Sequence, residues 1–147
     1  MQMRRLNPFE VQPYWTEAEP LLTAMLDKTG LRELMDEHHI WAMILQDLMQ
    51  LWAITDEADE LHGIIVTELK IFPKARQCNI LYGSGEVGAN QHGELLDQIV
   101  AWAKAEQACT RVQMTGRLGW MPLFKSKGFQ HPMTTMTKVL TDEKFLQ

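Results

Sequence analysis

The segment with the strongest chemical signal is rich in glycine and directly follows a β-type run. Residues 83–88 read GSGEVG, a literal GxGxxG, after the strand pattern of residues 76–82. In dinucleotide-binding folds these glycines open a helix, so that free backbone N–H groups meet a pyrophosphate. Here the next clear helical pattern begins only at Gly93, and the following strand ends at Thr115 rather than at an acidic residue. The spacing therefore argues against a dinucleotide site. No Lys-Ser or Lys-Thr pair comes directly after these glycines, which argues against a P-loop.

Histidine and cysteine residues give weaker signals. Asp36 and His39 have helical spacing, yet one pair supplies two metal ligands at most, and the sequence offers no second cluster. His38 falls on the apolar stripe of the same segment, where a hydrogen-bonded core histidine is expected. Cys78 and Cys109 match neither a metal motif nor a disulfide framework. The sequence therefore predicts no metal site, and it contains no Ser-His-Asp or Cys-His signature.

Glu68 is the carboxylate that a proton-transfer mechanism could use. It lies in the middle of a β-type run, residues 61–72, that has apolar residues on both faces for part of its length. A buried carboxylate at such a position could serve as a general base. An exposed glutamate on the face of a strand is the more common arrangement, so both interpretations stay open at this point.

Composition limits the classes of function. The chain has 147 residues, of which 46% are apolar and 22% charged, and its formal net charge is −5. These values are typical of one globular domain, here residues 1–147. The negative charge argues against a nucleic-acid-binding protein, because affinity for phosphates rests on excess lysine and arginine. No apolar run is long enough to span a membrane and no secretion signal is visible, which predicts a soluble protein of a cytosolic compartment.

Hydrophobic periodicity predicts helices and strands in a mixed order. The predicted elements are an opening strand near 3–6, helices over 14–25 and 31–49, a meander of antiparallel strands at 51–55, 61–72 and 76–82, a helix over 93–108, a strand at 111–115, a short helix over 121–127 and a final strand or strand pair at 129–140. Thr16 and Glu19 fit a capping box for the first helix, and Gly30 fits a stop after it. The connection from 76–82 to 111–115 should be a right-handed parallel crossover. We predict an α+β fold with three α/β/α layers, a central mixed, mostly antiparallel sheet and one core.

The C-terminal half, residues 61–140, resembles the Gcn5-related N-acetyltransferase (GNAT) superfamily. The resemblance rests on the meander, the glycine-bearing segment that leads into a long helix, the strand and short helix that follow, and the ending FKSKGF (124–129). It implies a GNAT-like acyl-CoA N-acyltransferase fold with acetyl-CoA as the cofactor. In that family the loop after the fourth strand reads Q/R-x-x-G-x-G/A, and its N–H groups hold the pyrophosphate of acetyl-CoA.

The family motif is only partly present in this chain. Aligning the loop places Gly88, Gln91 and Gly93 at its three defined positions, and only Gly93 fits. Phe124 stands where many members have a tyrosine that protonates the CoA thiolate, and a phenyl ring has no proton to donate. Gly116 replaces the asparagine that is common after the fifth strand.

A narrower resemblance spans nearly the whole chain. The strings QLWAI (50–54) and GRLGW (116–120) are similar to those of small GNAT-like proteins encoded in tailed-bacteriophage genomes among genes for virion morphogenesis. This resemblance implies a phage-encoded protein with an eroded acetyl-CoA site, which acts in virion assembly or as a protein-binding accessory. Its partner would be a phage structural or host protein, in the host cytoplasm or on the virion. Arg117 and Trp120 would anchor that partner, because Arg and Trp dominate interface hot spots.

The same family resemblance implies an alternative, an acetyl-CoA-dependent N-acetyltransferase acting on an unidentified amine. Glu68 would then accept the proton of the amine, directly or through water, and backbone N–H groups near residues 81–83 would polarise the thioester carbonyl. Positive charge at Arg117, Lys125 and Lys127 would meet the ribose phosphate. The residues that would bind the cofactor are, in chain order, Leu81, Gly83, Gly85, Gly88, Gln91, His92 and Gly93.

Overall fold

Five strands in sequential order form one sheet, with helices on both of its faces. The structure is a computed structural model that describes residues 2–85, 89–114, 121–130, 136–138 and 140; the side chains of residues 82–92 and 121 are outside this description. The strands are β1 (Gln2–Leu6), β2 (Met49–Thr55), β3 (Leu61–Ile71), β4 (Arg76–Gly85) and β5 (Arg111–Met114). The helices are α1 (Pro8–Thr29), α2 (Glu37–Leu45), α3 (Ala89–Ala105) and α4 (Met121–Ser126).

The sheet is mixed and mostly antiparallel. Each of β1 to β4 is antiparallel to its neighbour, and β5 joins β4 in parallel. This pairing confirms the predicted meander and the parallel crossover through α3, while the hand of that crossover stays a prediction. Within the described residues, the sheet therefore ends at β1 on one side and at β5 on the other.

Each face of the sheet carries its own apolar core, because side chains alternate along a strand. On one face Leu51 and Val66 pack with residues of α1 and α2. On the other face Trp52 and Ile65 pack with residues of α3 and with Phe124 of α4. The predicted α/β/α layers are confirmed, but the predicted single core was wrong: the sheet separates two clusters.

Helix α1 begins at Pro8, several residues before the predicted start. Its N-cap is Asn7, whose side chain accepts hydrogen bonds from the backbone N–H groups of Phe9 and Glu10, each at 3.0 Å. The Glu10 side chain in turn accepts from the backbone N–H of Asn7, which completes a capping box. Proline suits the first helical position, because its missing N–H would have no partner there.

The predicted capping box of Thr16 and Glu19 was wrong, because both residues lie inside α1. Pro13 and Pro20 also lie inside the helix, where each lacks the N–H that would bond the carbonyl group four residues earlier, and both are exposed. The predicted stop is confirmed. Gly30 follows the helix with a φ of 75°, in the left-handed region that glycine adopts without strain.

The predicted long helix over 31–49 consists of two shorter pieces, a 3-10 helix at Leu31–Glu33 and then α2. Asp36 separates them: its side chain accepts a hydrogen bond from the backbone N–H of His39 at 2.9 Å and caps α2. The backbone N–H of His39 also holds the pKa of Asp36 below its usual value. The pair therefore serves a helix start. His38 is exposed, so the expectation of a core histidine was wrong.

Fewer residues separate strand β4 from helix α3 than the sequence predicts. β4 extends to Gly85 and α3 begins at Ala89, so the predicted helix start at Gly93 was wrong. The case against a dinucleotide site therefore rests on the missing acidic residue after β5 and on the sheet topology, not on the length of the loop.

The last predicted element is only partly covered by the structure. Of the residues over 129–140, the structure describes 129, 130, 136–138 and 140, and none of these is in a strand. The rest of that prediction lies outside the described residues. Among the described helices, none has both the length and the apolar character that crossing a membrane requires.

Candidate active site

Strand β4 carries one extra residue relative to β3. Thr67 pairs with Ile80 and Val66 pairs with Tyr82, so Leu81 has no partner on β3. Such a β-bulge disrupts the ladder locally and redirects the neighbouring backbone groups. The bulge lies where the family resemblance implies the N–H groups that would polarise a thioester carbonyl, near residues 81–83.

β4 also extends beyond the described pairing with β5. The parallel register runs from Gln77 opposite Arg111 to Ile80 opposite Met114. Beyond Ile80, β4 continues to Gly85 and is paired only with β3 among the described pairings. Among the described residues, the outer backbone groups of β4 thus have no strand partner from the bulge onward. Unpaired N–H and C=O groups on such an edge can bind an extended, amide-bearing chain.

The N-terminal part of α3 packs against α4 and lies beside the ammonium group of Lys127. Gly93 is buried, and a Cβ built on it would meet Lys127 Cε at 3.5 Å and Leu123 Cδ1 at 3.6 Å. Lys127 Nζ forms an ion pair with Asp97 at 2.8 Å. The free N–H groups of a helix start favour an anion, and a neighbouring ammonium group adds to that preference.

Glu68 lies on the sheet face that carries α1 and α2, since it is two residues from Val66 along β3. Its side chain is 20% exposed, which lies between the two alternatives that the sequence left open. A carboxylate oxygen accepts a hydrogen bond from Asn79 Nδ2 at 3.4 Å and lies 3.8 Å from Lys70 Nζ. Asn79 is two residues before Leu81 on β4, a distance of about 7 Å along a strand.

Sequence comparisons and structural comparisons give different results. No family model and no curated protein matches the sequence. Solved structures do match. A probable acetyltransferase superposes with a TM-score of 0.76 at 13% identity, over 97% of this chain and 99% of that chain. The chain has the fold of GNAT acetyltransferases.

Two further GNAT-type structures agree with this conclusion. Ribosomal-protein-alanine N-acetyltransferase from Brucella melitensis biovar Abortus 2308 superposes with a TM-score of 0.69 at 11% identity, over 95% of this chain and 100% of that chain. A predicted acetyltransferase from Clostridium acetobutylicum, solved with acetyl-CoA, gives 0.68 at 15% identity, over 95% and 96%. At such identities the likeness concerns the fold, and a function must be argued from the site.

The GNAT-like fold of this chain has a phenyl ring at position 124. Phe124 is 9% exposed and packs edge-on against Phe129, with ring centroids 4.9 Å apart. The ring belongs to the core on the α3 side of the sheet. Position 124 therefore supplies packing energy to the fold and no proton to a leaving group.

The predicted cofactor residues fall into two groups on this GNAT-like scaffold. One group lies on β4 beyond its described pairing with β5 and comprises Leu81, Gly83 and Gly85; the other lies in the first turns of α3 and comprises Gln91, His92 and Gly93. Gly88 and the predicted partner-binding residues Arg117 and Trp120 lie outside the described residues, so their roles stay predictions.

Gln77 and Asn79 were not predicted from the sequence. They are polar residues that alternate with the buried Cys78 and Ile80 along β4, which was the available signal. Their relevance follows from strand register, because Asn79 pairs with Glu68 across β3 and β4.

A cluster of potential metal ligands that the sequence analysis also missed lies in the turn between β2 and β3. Asp56, Glu60 and His62 bring ligand atoms within 4.8 Å of one another. Asp56 bonds His62 Nε2 at 2.6 Å and accepts hydrogen bonds from the backbone N–H groups of Ala58 and Glu60. These bonds, that of His62 above all, hold the pKa of Asp56 below its usual value. They account for the cluster as the internal bonding of a turn.

A separate hollow of about 530 Å³ opens at the side of α3 near β1. The Arg5 guanidinium lies 5.5 Å from the ring centroid of Trp102, and Trp102 meets Trp52 edge-on. None of the candidate active-site residues lines this hollow, whose lining is Arg5, Trp52, Gln98, Ala101, Trp102, Ala105 and Glu106.

Proposed function

We propose that this protein is an acetyl-CoA-dependent N-acetyltransferase that acts on a primary amine. The observation that carries the proposal is the coincidence of two backbone features at one point of β4: the bulge at Leu81 and the end of the described pairing with β5. When bound, acetyl-CoA supplies an acetyl group activated as a thioester. The full-length likeness to acetyltransferase structures supports the same class of reaction.

The described residues fit such a ligand in two respects. The edge of β4 from Leu81 to Gly85 offers N–H and C=O groups to the amides of an extended pantetheine arm. The start of α3, with Lys127 packed over Gly93, offers positive potential to a pyrophosphate. Asp97 is the present partner of Lys127, so binding of a phosphate would compete with that ion pair.

The chain's own groups divide the chemical work. Glu68 takes the proton of the amine, directly or through one water, as the nitrogen forms its bond to the acetyl carbon. Backbone N–H groups at the bulge donate hydrogen bonds to the carbonyl oxygen, where negative charge develops. The carbon–sulfur bond then breaks, and solvent supplies the proton of the departing thiolate because Phe124 has none.

The first test is ligand-dependent stabilisation of the fold. Acetyl-CoA at about a hundred times its dissociation constant should raise the free energy of unfolding by about 2.7 kcal/mol. That corresponds to a rise in melting temperature of several degrees for a domain of this size. Free adenosine, which lacks the pyrophosphate and the pantetheine arm, is the matched control. The absence of a saturable shift up to millimolar acetyl-CoA would overturn the proposal.

The second test separates binding from chemistry. With a panel of peptides carrying free N-termini and of small polyamines, the wild-type protein should release CoA thiol in an amine-dependent manner. Glu68→Gln should retain the acetyl-CoA-dependent rise in melting temperature and lose transfer by about 100-fold or more, the usual contribution of a general base. Equal transfer by Glu68→Gln and wild type would contradict the role of Glu68.

A non-catalytic protein-binding accessory is the second candidate. Phe124 favours it, because the fold buries a ring there instead of exposing a hydroxyl group. In this case acetyl-CoA gives no shift, and Arg117→Ala or Trp120→Ala weakens capture of a phage structural or host protein. The phage setting itself stays a prediction from sequence resemblance, and the same pull-down against virion proteins tests it.

A further inference from the structure

A row of side-chain amides crosses three strands and ends on Glu68. Glu68 of β3, Asn79 of β4 and Gln113 of β5 are register partners, and Gln77 lies in the next row of the same face. Gln77 Nε2 donates to Asn79 Oδ1 and to Gln113 Oε1, each at 2.6 Å. Asn79 Nδ2 donates to Glu68 Oε1 at 3.4 Å.

The side-chain amide of Gln77 donates to both of its neighbours in the row. Its side chain is 5% exposed, and both hydrogens of its amide have carbonyl acceptors. The Glu68 carboxylate only accepts hydrogen bonds, so the Asn79 amide turns its Nδ2 towards Glu68 and presents its Oδ1 to the Gln77 donor. A reversed Asn79 would place two donors against each other in a part-buried site, which is costly.

Two groups compete for the Glu68 carboxylate. Lys70, two residues further along β3, lies in the direction of the β3–β4 hairpin and 3.8 Å from the carboxylate. Asn79 lies across on β4, the strand that continues into the bulge at Leu81. The hydrogen bond from Asn79 thus holds the carboxylate beside β4, the strand that carries the proposed thioester site. It opposes the attraction of the exposed Lys70 ammonium group.

We propose that Asn79 is a positioning residue for Glu68 and that Gln77 sets the orientation of Asn79. This inference rests on the proposed acetyltransferase function. It adds two residues that touch neither the cofactor nor the amine to the machinery of proton transfer. Each acts through the residue next to it in the row of amides.

A double-mutant cycle on transfer kinetics tests this proposal. Asn79→Ala and Asn79→Asp should each lower kcat by about 10- to 100-fold, the rate equivalent of one hydrogen bond to a charged group. The KM for acetyl-CoA and the acetyl-CoA-dependent rise in melting temperature should stay unchanged. In a Glu68→Gln background, Asn79→Ala should cause no further loss, because its effect passes through that carboxylate. Arg111→Ala, an exposed change on the same face, is the matched control and should keep wild-type kcat.

The outcomes separate this inference from the proposed function. If the wild-type protein transfers acetyl groups but the Asn79 and Glu68 effects multiply, the positioning role is overturned and the acetyltransferase stands. If the wild-type protein transfers none, both are overturned. A structural readout accompanies the kinetics: the side-chain amide resonances of Asn79 should shift in Glu68→Gln and in Gln77→Met, and unmoved resonances would contradict the row of hydrogen bonds.

Discussion

Both cysteines are buried beside β4 and β5, in the core on the α3 side of the sheet. Burial raises the pKa of Cys78 from 9.0 to about 12, and the neighbouring Cys109 and Glu68 add to that rise. Burial also raises the pKa of Cys109, against an opposing effect of Arg76. A thiol reacts as its thiolate, so both groups should be inert in the folded protein at neutral pH.

We expect a colorimetric disulfide reagent at pH 8 to label no thiol in the native protein and both thiols in urea. Rapid labelling of either cysteine before unfolding would contradict the burial of that thiol. The same inertness makes thiol release a clean assay for acetyl transfer, because the background reaction of the protein itself should be negligible.

The raised pKa of Cys78 also has a consequence for stability at high pH. The folded state favours the neutral thiol, so this stabilisation is fully present below about pH 9 and is lost as the pH rises towards about 12. Urea unfolding of wild type and Cys78→Val between pH 8 and 11 checks the sign. The wild-type protein should lose stability more steeply than the variant, and parallel curves would contradict the assignment.

At the residue scale, candidate residues could be named from the sequence, but the contacts between residues of paired strands could not. Glu68 was predicted from its place in a β-type run and Leu81 from the family resemblance, and both lie near the bulge of β4. Asn79 was missed because its contact with Glu68 depends on pairing between residues far apart in the chain. A glutamine or asparagine in a strand is by itself no signal for such a contact.

Helix α1 has a complete N-terminal cap. The side chain of Asn7 satisfies two backbone N–H groups that would otherwise have no partner in the helix. Arg4 of β1 also forms an ion pair with Glu10, so the cap joins β1 to α1. The cap thus fixes the start of α1 relative to β1.

We expect Asn7→Ala to lower the free energy of unfolding by about 1 kcal/mol, and Asn7→Ser to retain most of it. Thr16→Ala is the matched control, since Thr16 is exposed inside α1 and alanine has the higher helix propensity. Urea denaturation of the three variants distinguishes the observed cap from the one that the sequence predicted. A larger loss for Thr16→Ala than for Asn7→Ala would contradict the structure.

At the element scale, the strands were predicted better than the helix starts. β2, β3 and β4 begin within two residues of their predicted positions, because alternation of apolar residues and the turns around Asp56 and Pro73 define them. The starts of α1, α2 and α3 were wrong. Asn7 and Asp36 cap α1 and α2. The sequence contains other residues of the capping types nearby, so it does not show which of them forms the cap.

The whole molecule is held together by strands that serve both cores. Every residue of β2 is buried: Leu51 and Ala53 face the core with α1 and α2, while Trp52 and Ile54 face the core with α3. A buried hydrogen bond from Trp52 Nε1 to Thr67 at 3.0 Å ties β2 to β3 within the second core. Neither core can lose β2 without exposing the other, so the two layers should unfold as one unit.

Tryptophan pairs allow each core to be followed separately. Trp15 and Trp41 lie 4.6 Å apart between their ring centroids on the α1/α2 side, while Trp52 and Trp102 lie 5.4 Å apart on the α3 side. In a Trp120→Phe background, the variant Trp15→Phe/Trp41→Phe therefore leaves fluorescence from the α3-side pair, and Trp52→Phe/Trp102→Phe leaves fluorescence from the other pair. In each variant the urea midpoint by fluorescence should coincide with its own midpoint by circular dichroism, as in two-state unfolding. Separate midpoints in either variant would mean that one layer opens alone. Because β4 contributes Cys78 and Ile80 to one core and Leu81 to the other, that outcome would contradict a single unfolding unit.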